Sequence, residues 1–388
     1  MGLAALKVIK KFWRWVEGHA RWFLAGGLLV AAGYNWIKWR ADRLRLREIQ
    51  TCQAPPLLPL DAIQNPKVTV LLPAWNEADN LVACLDSLLG LRYPDVEIIL
   101  CAGGQDATLT IAKRYAGPKV VVLEQQPGEG KQGALRRSFA HATGGIIFLT
   151  DADCILDDAI FERTLAPILT GDEVAATGAW RPFERQQPLP LVQYQWAHHL
   201  YRELWMPDYA PALDGRNAAV RREALEAADA FEISAPVGAD LALSKQLTAA
   251  GYAICFVRDS HVQTEYPETV HDYRKQLSRW FRNPLVHEKR WLAAPLARSH
   301  LRAGLAAIFL VVAPLPALFS TLVAATWTSV VFHLLLAQLR TWAVLAKSVG
   351  SQMTVMHPFT TLTYLPVGWW TTARGMIALL VPSEKHQW

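Results

Sequence analysis

The sequence predicts an α/β fold: a mostly parallel sheet flanked by helices, with apolar helical segments towards both ends of the chain. Three observations predict it. Between residues 68 and 153, short apolar runs alternate with segments of helical apolar spacing, the pattern of parallel strands joined by crossover helices. The runs are apolar throughout rather than alternating, as a sheet covered on both faces requires. From Ala303 to Leu339 there is no Asp, Glu, Lys or Arg, a stretch too long for one membrane crossing of roughly 20 residues and about right for two short ones.

Residues 1–40 read as an amphipathic or transmembrane anchor. Trp22–Ile37 is apolar apart from Asn35, and it lies between Lys10, Lys11, Arg14 and Arg21 on one side and Lys38, Arg40, Arg43, Arg45 and Arg47 on the other. The basic cluster directly after the apolar core argues against a cleaved signal peptide. Trp13, Trp15, Trp22, Trp36 and Trp39 suit a headgroup region. Residues 41–66 read as a linker, because Pro55, Pro56, Pro59 and Pro66 discourage regular structure.

Val68–Leu72 is then a strand stopped by Pro73, followed by a helix over Glu77–Leu89. Val96–Leu100 is the second strand and Asp106–Tyr115 the second helix. Val120–Leu123 is the third strand and Gln132–Ala142 the third helix, ended by Gly144-Gly145. The fourth strand, Ile146–Leu149, leads into Asp151. Pro314 and Pro316 mark a kink or connecting turn in the long apolar run, and Phe359–Val381, interrupted by Arg374, forms a third apolar segment.

The net charge of +5 is modest, and the basic residues gather beside the apolar segments, which points to an anionic lipid surface and away from nucleic acid. Five scattered cysteines (Cys52, Cys84, Cys101, Cys154, Cys255) lack metal-ligand spacing and read as reduced, buried thiols of a cytosolic domain.

Each strand ends in a polar or Gly-rich group: Trp75-Asn76-Glu77, Gly103-Gly104-Gln105-Asp106, Gly128-Glu129-Gly130-Lys131 and Asp151-Ala152-Asp153. In an open α/β sheet, ligands bind outside the carboxyl ends of the strands, so these four ends converge on a charged, flat ligand. Asp151 and Asp153, two apart on an extended chain, point the same way and can share a hard divalent cation, Mg²⁺ or Mn²⁺, whose other positions go to water and phosphate oxygens.

Pro73-Ala74-Trp75-Asn76-Glu77, the Gly-x-Gly-Lys at 128–131 and the Asp-x-Asp at 151–153 resemble the family 2 inverting glycosyltransferases of the GT-A fold. Two later elements extend the resemblance. Asp240, followed by Leu241-Ala242-Leu243 and Ala250-Gly251-Tyr252, is similar to the family's acidic residue and L…L…aGy helix. Gln276-Leu277-Ser278-Arg279-Trp280 resembles the Q-x-x-R-W motif of its membrane-bound members, which include cellulose, chitin and hyaluronan synthases and ceramide glucosyltransferases. The elements fall in the family's order over residues 68–282, so the resemblance implies a GT-A catalytic domain at 67–268, interfacial helices with Q-x-x-R-W at 269–300 and membrane helices at 301–388.

The resemblance implies transfer of a hexose from a nucleotide diphosphate sugar to a membrane-associated acceptor hydroxyl, lipid or lipid-linked, with inversion. It implies Asp153, with Asp151, as metal ligands, Asp240 as general base, and Lys131 and Arg279 as diphosphate partners. Trp75, Asn76, Glu77 and Asp106 fall on the nucleotide side. Gly215, in Asp214-Gly215-Arg216-Asn217, Gln276 and Trp280 fall on the acceptor side, Gly215 permitting close approach. His198, His199 and His271 read as surface or core residues.

Two departures stand out. Cys101-Ala102-Gly103-Gly104 lacks the acidic residue that members commonly use to read uracil, so a UDP-sugar is favoured by the family and a GDP-sugar is left open. Ala239 stands where a Glu is frequent. Processive polysaccharide synthesis is the second reading, and a non-catalytic nucleotide-sugar-binding membrane subunit the third. The expected location is the plasma membrane, multi-pass, with a cytoplasmic catalytic domain.

Overall fold

Four strands, Val68–Trp75 (β1), Val96–Gly103 (β2), Val120–Glu124 (β3) and Ile146–Leu149 (β4), pair in parallel in the order β3-β2-β1-β4. This computed structural model describes residues 8, 10–12, 14, 15, 17–51, 66–232, 238–287, 295–349 and 357–380. Trp13, Cys52 and the Pro-rich stretch 52–65 lie outside the described residues.

The continuous apolar strands are explained by cover on both faces. Val68, Val70, Leu72 and Ala74 pack with Leu81, Leu85 and Leu88 of the Leu81–Leu89 helix and with Phe161 and Leu165 of the Asp158–Leu169 helix. Leu71 packs on the other face with Ile99, Ile147, Leu135, Leu225 and Leu247. Each fully buried Leu or Ile contributes on the order of 1.5–3 kcal/mol. Asp157 caps the Asp158–Leu169 helix by accepting from Ile160 N–H at 2.8 Å.

Pro73 does not stop β1, which runs on to Trp75 in register with β2. Leu71 O accepts from Thr150 N, so the odd-numbered groups of β1 face β4, and the β1–β4 pairing ends at Leu71↔Leu149. The missing N–H of Pro73 therefore falls where no ladder is left to interrupt.

Beyond β4 the sheet ceases to be parallel. Ala218–Arg221 (β7) pairs antiparallel to β4, and Ala175–Pro182 (β6) antiparallel to β7. Cys255–Thr264 (β8) runs parallel to β6 across a bulge between Thr177 and Ala179, and Cys154–Ile155 (β5) closes the edge antiparallel to β8. The fold is thus mixed α/β, an eight-stranded sheet with a parallel half and an antiparallel extension.

The chain divides into two compact units. The α/β unit comprises Gln53–Gln186 and Trp205–Tyr266; the helical unit comprises Met1–Cys52, Gln187–Leu204 and Pro267–Trp388. The expected continuous domain at 67–268 is therefore interrupted. The Pro190–Leu204 helix belongs to the helical unit, where Leu191 and Tyr194 pack with Tyr273 and Leu365, and Leu204 with Leu46 and Val344.

The amino-terminal helix does not stop at residue 40 but spans Ala20–Thr51, taking the first part of the expected linker with it. The apolar run does divide at its prolines, into helices Pro295–Val312 and Thr321–Val349 with a short turn of helix at Pro314–Ala317 between them. Among the described residues one helix, Thr321–Val349, is long and apolar enough to cross a membrane. The apolar part of the Ala20–Thr51 helix, Trp22–Ile37 between Arg21 and Lys38, is as short as the 16-residue Leu365–Leu380 helix, and both fall below a crossing of roughly 20 residues. Multi-pass insertion is therefore not what these helices support.

Candidate active site

The site lies in the α/β unit at the carboxyl ends of β1 and β4, where the strand order turns back on itself. β4 ends at Leu149, and Asp151–Cys154 form a turn closed by Cys154 N–H donating to Asp151 O at 3.1 Å. Asp151 and Asp153 are thus delivered by a turn, not by the alternation of an extended strand. Two buried thiols lie behind the turn, Cys84 Sγ 3.6 Å from Asp151 O and Cys154 Sγ 3.5 Å from Asp153 Oδ1. Burial pushes both thiols well up, so they are inert. Cys84, Cys101, Cys154 and Cys255 are all free.

Lys131 binds the two ends of the site together. It sits at the start of the Gly130–His141 helix, with Nζ 2.6 Å from Asp151 Oδ1 and 3.5 Å from Asp240 Oδ1. Burial opposes its charge, but the two carboxylates outweigh burial and raise the Lys131 pKa. Burial likewise pushes Asp151 and Asp240 above the ordinary carboxylate range while Lys131 pulls them down.

Asp240 is the second residue of the Ala239–Ala249 helix. Its backbone carbonyl accepts from Ser244 Oγ at 2.6 Å, and the same hydroxyl accepts from Leu213 N at 2.8 Å, fixing the helix to the Asp214–Asn217 loop. A Cβ on Gly215 would meet Asp240 Oδ1 at 2.4 Å and Cγ at 2.7 Å. Gly215 is there because the carboxyl group occupies that space.

Sequence reasoning missed the companion of that loop. Arg216 donates from Nε to Asp214 Oδ1 and from Nη2 to Asp214 Oδ2, both at 2.8 Å, and its guanidinium lies 3.8 Å from the centre of the Trp180 ring. Burial would raise Asp214, but Arg216 overrides it and holds the carboxyl low. Thr177 Oγ1 accepts from Asp214 N and Thr150 Oγ1 donates to Arg216 O. No signal in the sequence ties Arg216 to Trp180, which comes from a different strand. Asn217, by contrast, is core: Thr164 Oγ1 donates to its Oδ1 at 2.9 Å and its Nδ2 reaches Ser260 Oγ at 3.0 Å.

On the β1 side, Asn76 adopts φ 57° and its Oδ1 accepts from Gln105 N at 2.7 Å. Gly104, at φ 125°, leaves room for that side chain, since a Cβ there would stand 2.3 Å from Asn76 Oδ1. Asp106 accepts from Ala78 N and Thr108 N; burial would raise its pKa, but the Thr108 hydroxyl first and then these backbone bonds outweigh burial and lower it. Asp106 therefore fastens the turn after β1 as well as facing outward. Trp75 is partly exposed at the end of β1. Burial first, then Asp153, Asp151 and Glu265, push Glu77 up to about 8.

That crowding tests the fit of a cation. Asp151 and Asp153 both press on Glu77, while Lys131 pairs with Asp151 and Asp240, and Arg216 also acts on Asp151. The excess negative charge fits a divalent ion held by one or two carboxylates and completed by water and phosphate oxygens. A full protein shell is not what the site offers: among the described residues, no group of three or more His, Cys, Asp or Glu is arranged to hold a metal.

Trp75, Asn76, Glu77, Asp106, Lys131, Asp151, Asp153, Gly215 and Asp240 all belong to the α/β unit. Gln276, Arg279 and Trp280 lie on the Val270–His287 helix of the helical unit, where the Trp280 ring is 5.7 Å from His199.

Comparison with known proteins gives the same direction. "Probable glycosyltransferase YdaM" of Bacillus subtilis is 27% identical over 233 residues, 56% of this chain and 55% of that protein. "Glycosyltransferase AglE" of Haloferax volcanii is 25% identical over 205 residues, 50% of this chain and 65% of that protein. The chain thus spans between half and two thirds of these relatives' length. Among solved structures, the mannosyltransferase PcManGT from Pyrobaculum calidifontis, in complex with GDP-Man and Mn²⁺, superposes with a TM-score of 0.50 at 20% identity. That match covers 94% of this chain and 97% of PcManGT, and it shows a shared fold. Residues 66–283 match the family model described as "Glycosyltransferase like family 2". The chain belongs to that family.

Proposed function

We propose that the chain transfers a hexose from a nucleotide diphosphate sugar to the hydroxyl of a membrane-associated acceptor, a lipid or a lipid-linked sugar, with inversion at the anomeric carbon. The observation that carries this reading is Lys131, whose ammonium reaches Asp151 at 2.6 Å and Asp240 at 3.5 Å, joining a diphosphate pole to a proton acceptor.

In this reading Asp240 takes the proton of the acceptor hydroxyl. The acceptor oxygen bonds to the anomeric carbon as the bond from that carbon to the diphosphate oxygen breaks. The electron pair leaves with the nucleoside diphosphate, and configuration inverts. A raised Asp240 pKa makes it a better base than an ordinary carboxylate. Asp153, with Asp151, would hold Mg²⁺ or Mn²⁺, which supplies charge neutralisation at the diphosphate when bound. Lys131 adds a positive point charge to the same group. Trp75 stacks on the base, Asn76, Glu77 and Asp106 form the nucleotide side, and Gly215 lies on the acceptor side.

The Cys101-Ala102-Gly103-Gly104 stretch, without a carboxylate, and the GDP-Man bound to PcManGT support testing GDP-sugars beside UDP-sugars. Membrane association is supported by the apolar Thr321–Val349 helix and by the exposed Leu29, Val30, Trp36 and Ile37 of the Ala20–Thr51 helix.

Nucleotide release by the purified chain, with Mg²⁺ or Mn²⁺ and each donor, tests the reading. We expect release with one donor class, its loss in Asp240→Asn, and unchanged donor binding by that variant. Silence with every donor would favour a nucleotide-sugar-binding subunit, and turnover by Asp240→Asn would remove the base from that position. Mass spectrometry of lipid extracts separates a product gaining one hexose from a polymer.

A further inference from the structure

Asp214 and Arg216 stand on either side of Gly215 and close over it. Arg216 Nε and Nη2 both reach the Asp214 carboxylate at 2.8 Å, so the fork joins residues two apart with the glycine between them. The turn is closed by Asn217 N–H donating to Asp214 O at 3.0 Å. Each end of it is tied to a neighbouring strand. Asp214 N–H donates to Thr177 Oγ1 of β6 at 2.9 Å, and Arg216 O accepts from Thr150 Oγ1, just past β4, at 3.0 Å. The Trp180 ring, also from β6, seats the guanidinium at 3.8 Å.

Gly215 brings no side chain to hold its own place, and glycine has the most backbone freedom to lose. Yet its place matters to Asp240, because no room is left for a Cβ between them. One loop thus grips Asp240 twice, at its carbonyl through Ser244 and Leu213, and at its carboxyl group by Gly215. The Asp214 and Arg216 side chains are only 18% and 15% exposed. An ion pair taken out of water adds little net stability over apolar side chains of similar size, so stability is a poor reason for this one. The pair is also neutral as a unit, and so a weak source of charge for a diphosphate.

We propose that Arg216 is a positioning residue for Asp240. Its fork to Asp214, seated on Trp180, fixes the Gly215 backbone where the Asp240 carboxyl group needs it, and so aims that carboxylate at the acceptor hydroxyl. The proposal rests on Asp240 acting as the base and deepens that reading: activation of the acceptor depends on a side chain that need touch neither donor nor acceptor.

The test is steady-state nucleotide release by the full chain in detergent, with total membrane lipid as acceptor and each variant assayed well below its unfolding transition. Arg216→Gln should lower kcat about thirtyfold, the scale of a small displacement of a catalytic group. Donor KM and equilibrium donor binding should stay as in the wild type. Asp214→Asn opens the fork from its other end and should reproduce that split. Arg216→Lys, which keeps the charge without the fork, should do the same. In a Gly215→Ala background, where Asp240 is already displaced, Arg216→Gln should cost less than about a further threefold, because both changes act through one group. Donor binding lost in step with kcat would put Arg216 at the diphosphate. Full kcat in Arg216→Lys would reduce its role to charge, and the whole thirtyfold added to that of Gly215→Ala would separate it from Asp240. Each of these results, or an unaffected Arg216→Gln, overturns the proposal. A wild type silent with every donor overturns the transferase reading itself, and that is seen before any variant is made.

Discussion

A Cβ placed on Gly215 would stand 2.4 Å from Asp240 Oδ1, closer than any real contact, so the loop and the carboxyl group share one space. Gly215→Ala must therefore move Asp240 rather than merely crowd it. We expect kcat to fall about a hundredfold, the usual consequence of misplacing a catalytic group by about 1 Å. Donor affinity should change little. Steady-state nucleotide release and equilibrium donor binding check the two expectations together.

Lys131 offsets two carboxylates at once, so Lys131→Met leaves Asp151 and Asp240 facing each other with no ammonium between them. Loss of one preorganised charge contact at a diphosphate costs on the order of 10²–10³ in turnover. Donor binding should weaken as well, unlike in Gly215→Ala. Isothermal titration with the donor nucleotide distinguishes the two variants.

Asn217 invites a different expectation, because its amide is fully buried between Thr164 and Ser260. Asn217→Ala removes one partner from each hydroxyl, which keep their bonds to Ile160 O and to each other, and should cost about 1–2 kcal/mol of stability. Kinetic constants measured well below the unfolding transition should stay near those of the wild type. Urea unfolding supplies the first number and nucleotide release the second.

Glu97 provides a pH-dependent case away from the candidate site. Burial alone would raise it, yet Lys67 Nζ at 2.7 Å, the Thr69 hydroxyl, and Thr143 N–H and hydroxyl hold it down to about 2. A carboxyl group whose folded pKa is depressed adds stability that is complete above its unfolded value and is lost as pH falls towards the folded one. The contribution should therefore fade from about pH 4.5 towards pH 2. Glu97→Gln should have the lower urea midpoint near neutrality, and the two proteins should converge across that acid range.

The parallel half of the sheet was legible because burial on both faces writes itself as unbroken apolar runs at Val68, Val96, Val120 and Ile146. The antiparallel extension was not. β8 carries Arg258, Asp259, Ser260, His261 and Gln263, and the β6 pattern is broken by the bulge after Thr177, so neither shows a clean period. In the site, Asp151, Asp153, Lys131 and Asp240 could be read from motif spacing, and the structure brings Lys131 within reach of both Asp151 and Asp240. Arg216 and Trp180 could not, because their stacking depends on how β6 and β7 align, a relation that no local pattern encodes. The apolar segments were legible as helices, but their reach was misjudged at residue 40, where charge replaces apolar character without any helix-breaking residue until Pro55.

Leu149 pairs with Ala218 at the last rung between β4 and β7, two residues before Asp151 and three after Gly215. That rung sets the gauge of the candidate site. One residue inserted into either strand would slide one lip past the other by about 3.4 Å and turn its side chains to the opposite face. Length variation should thus be absorbed by outlying loops, while these two short strands keep their count.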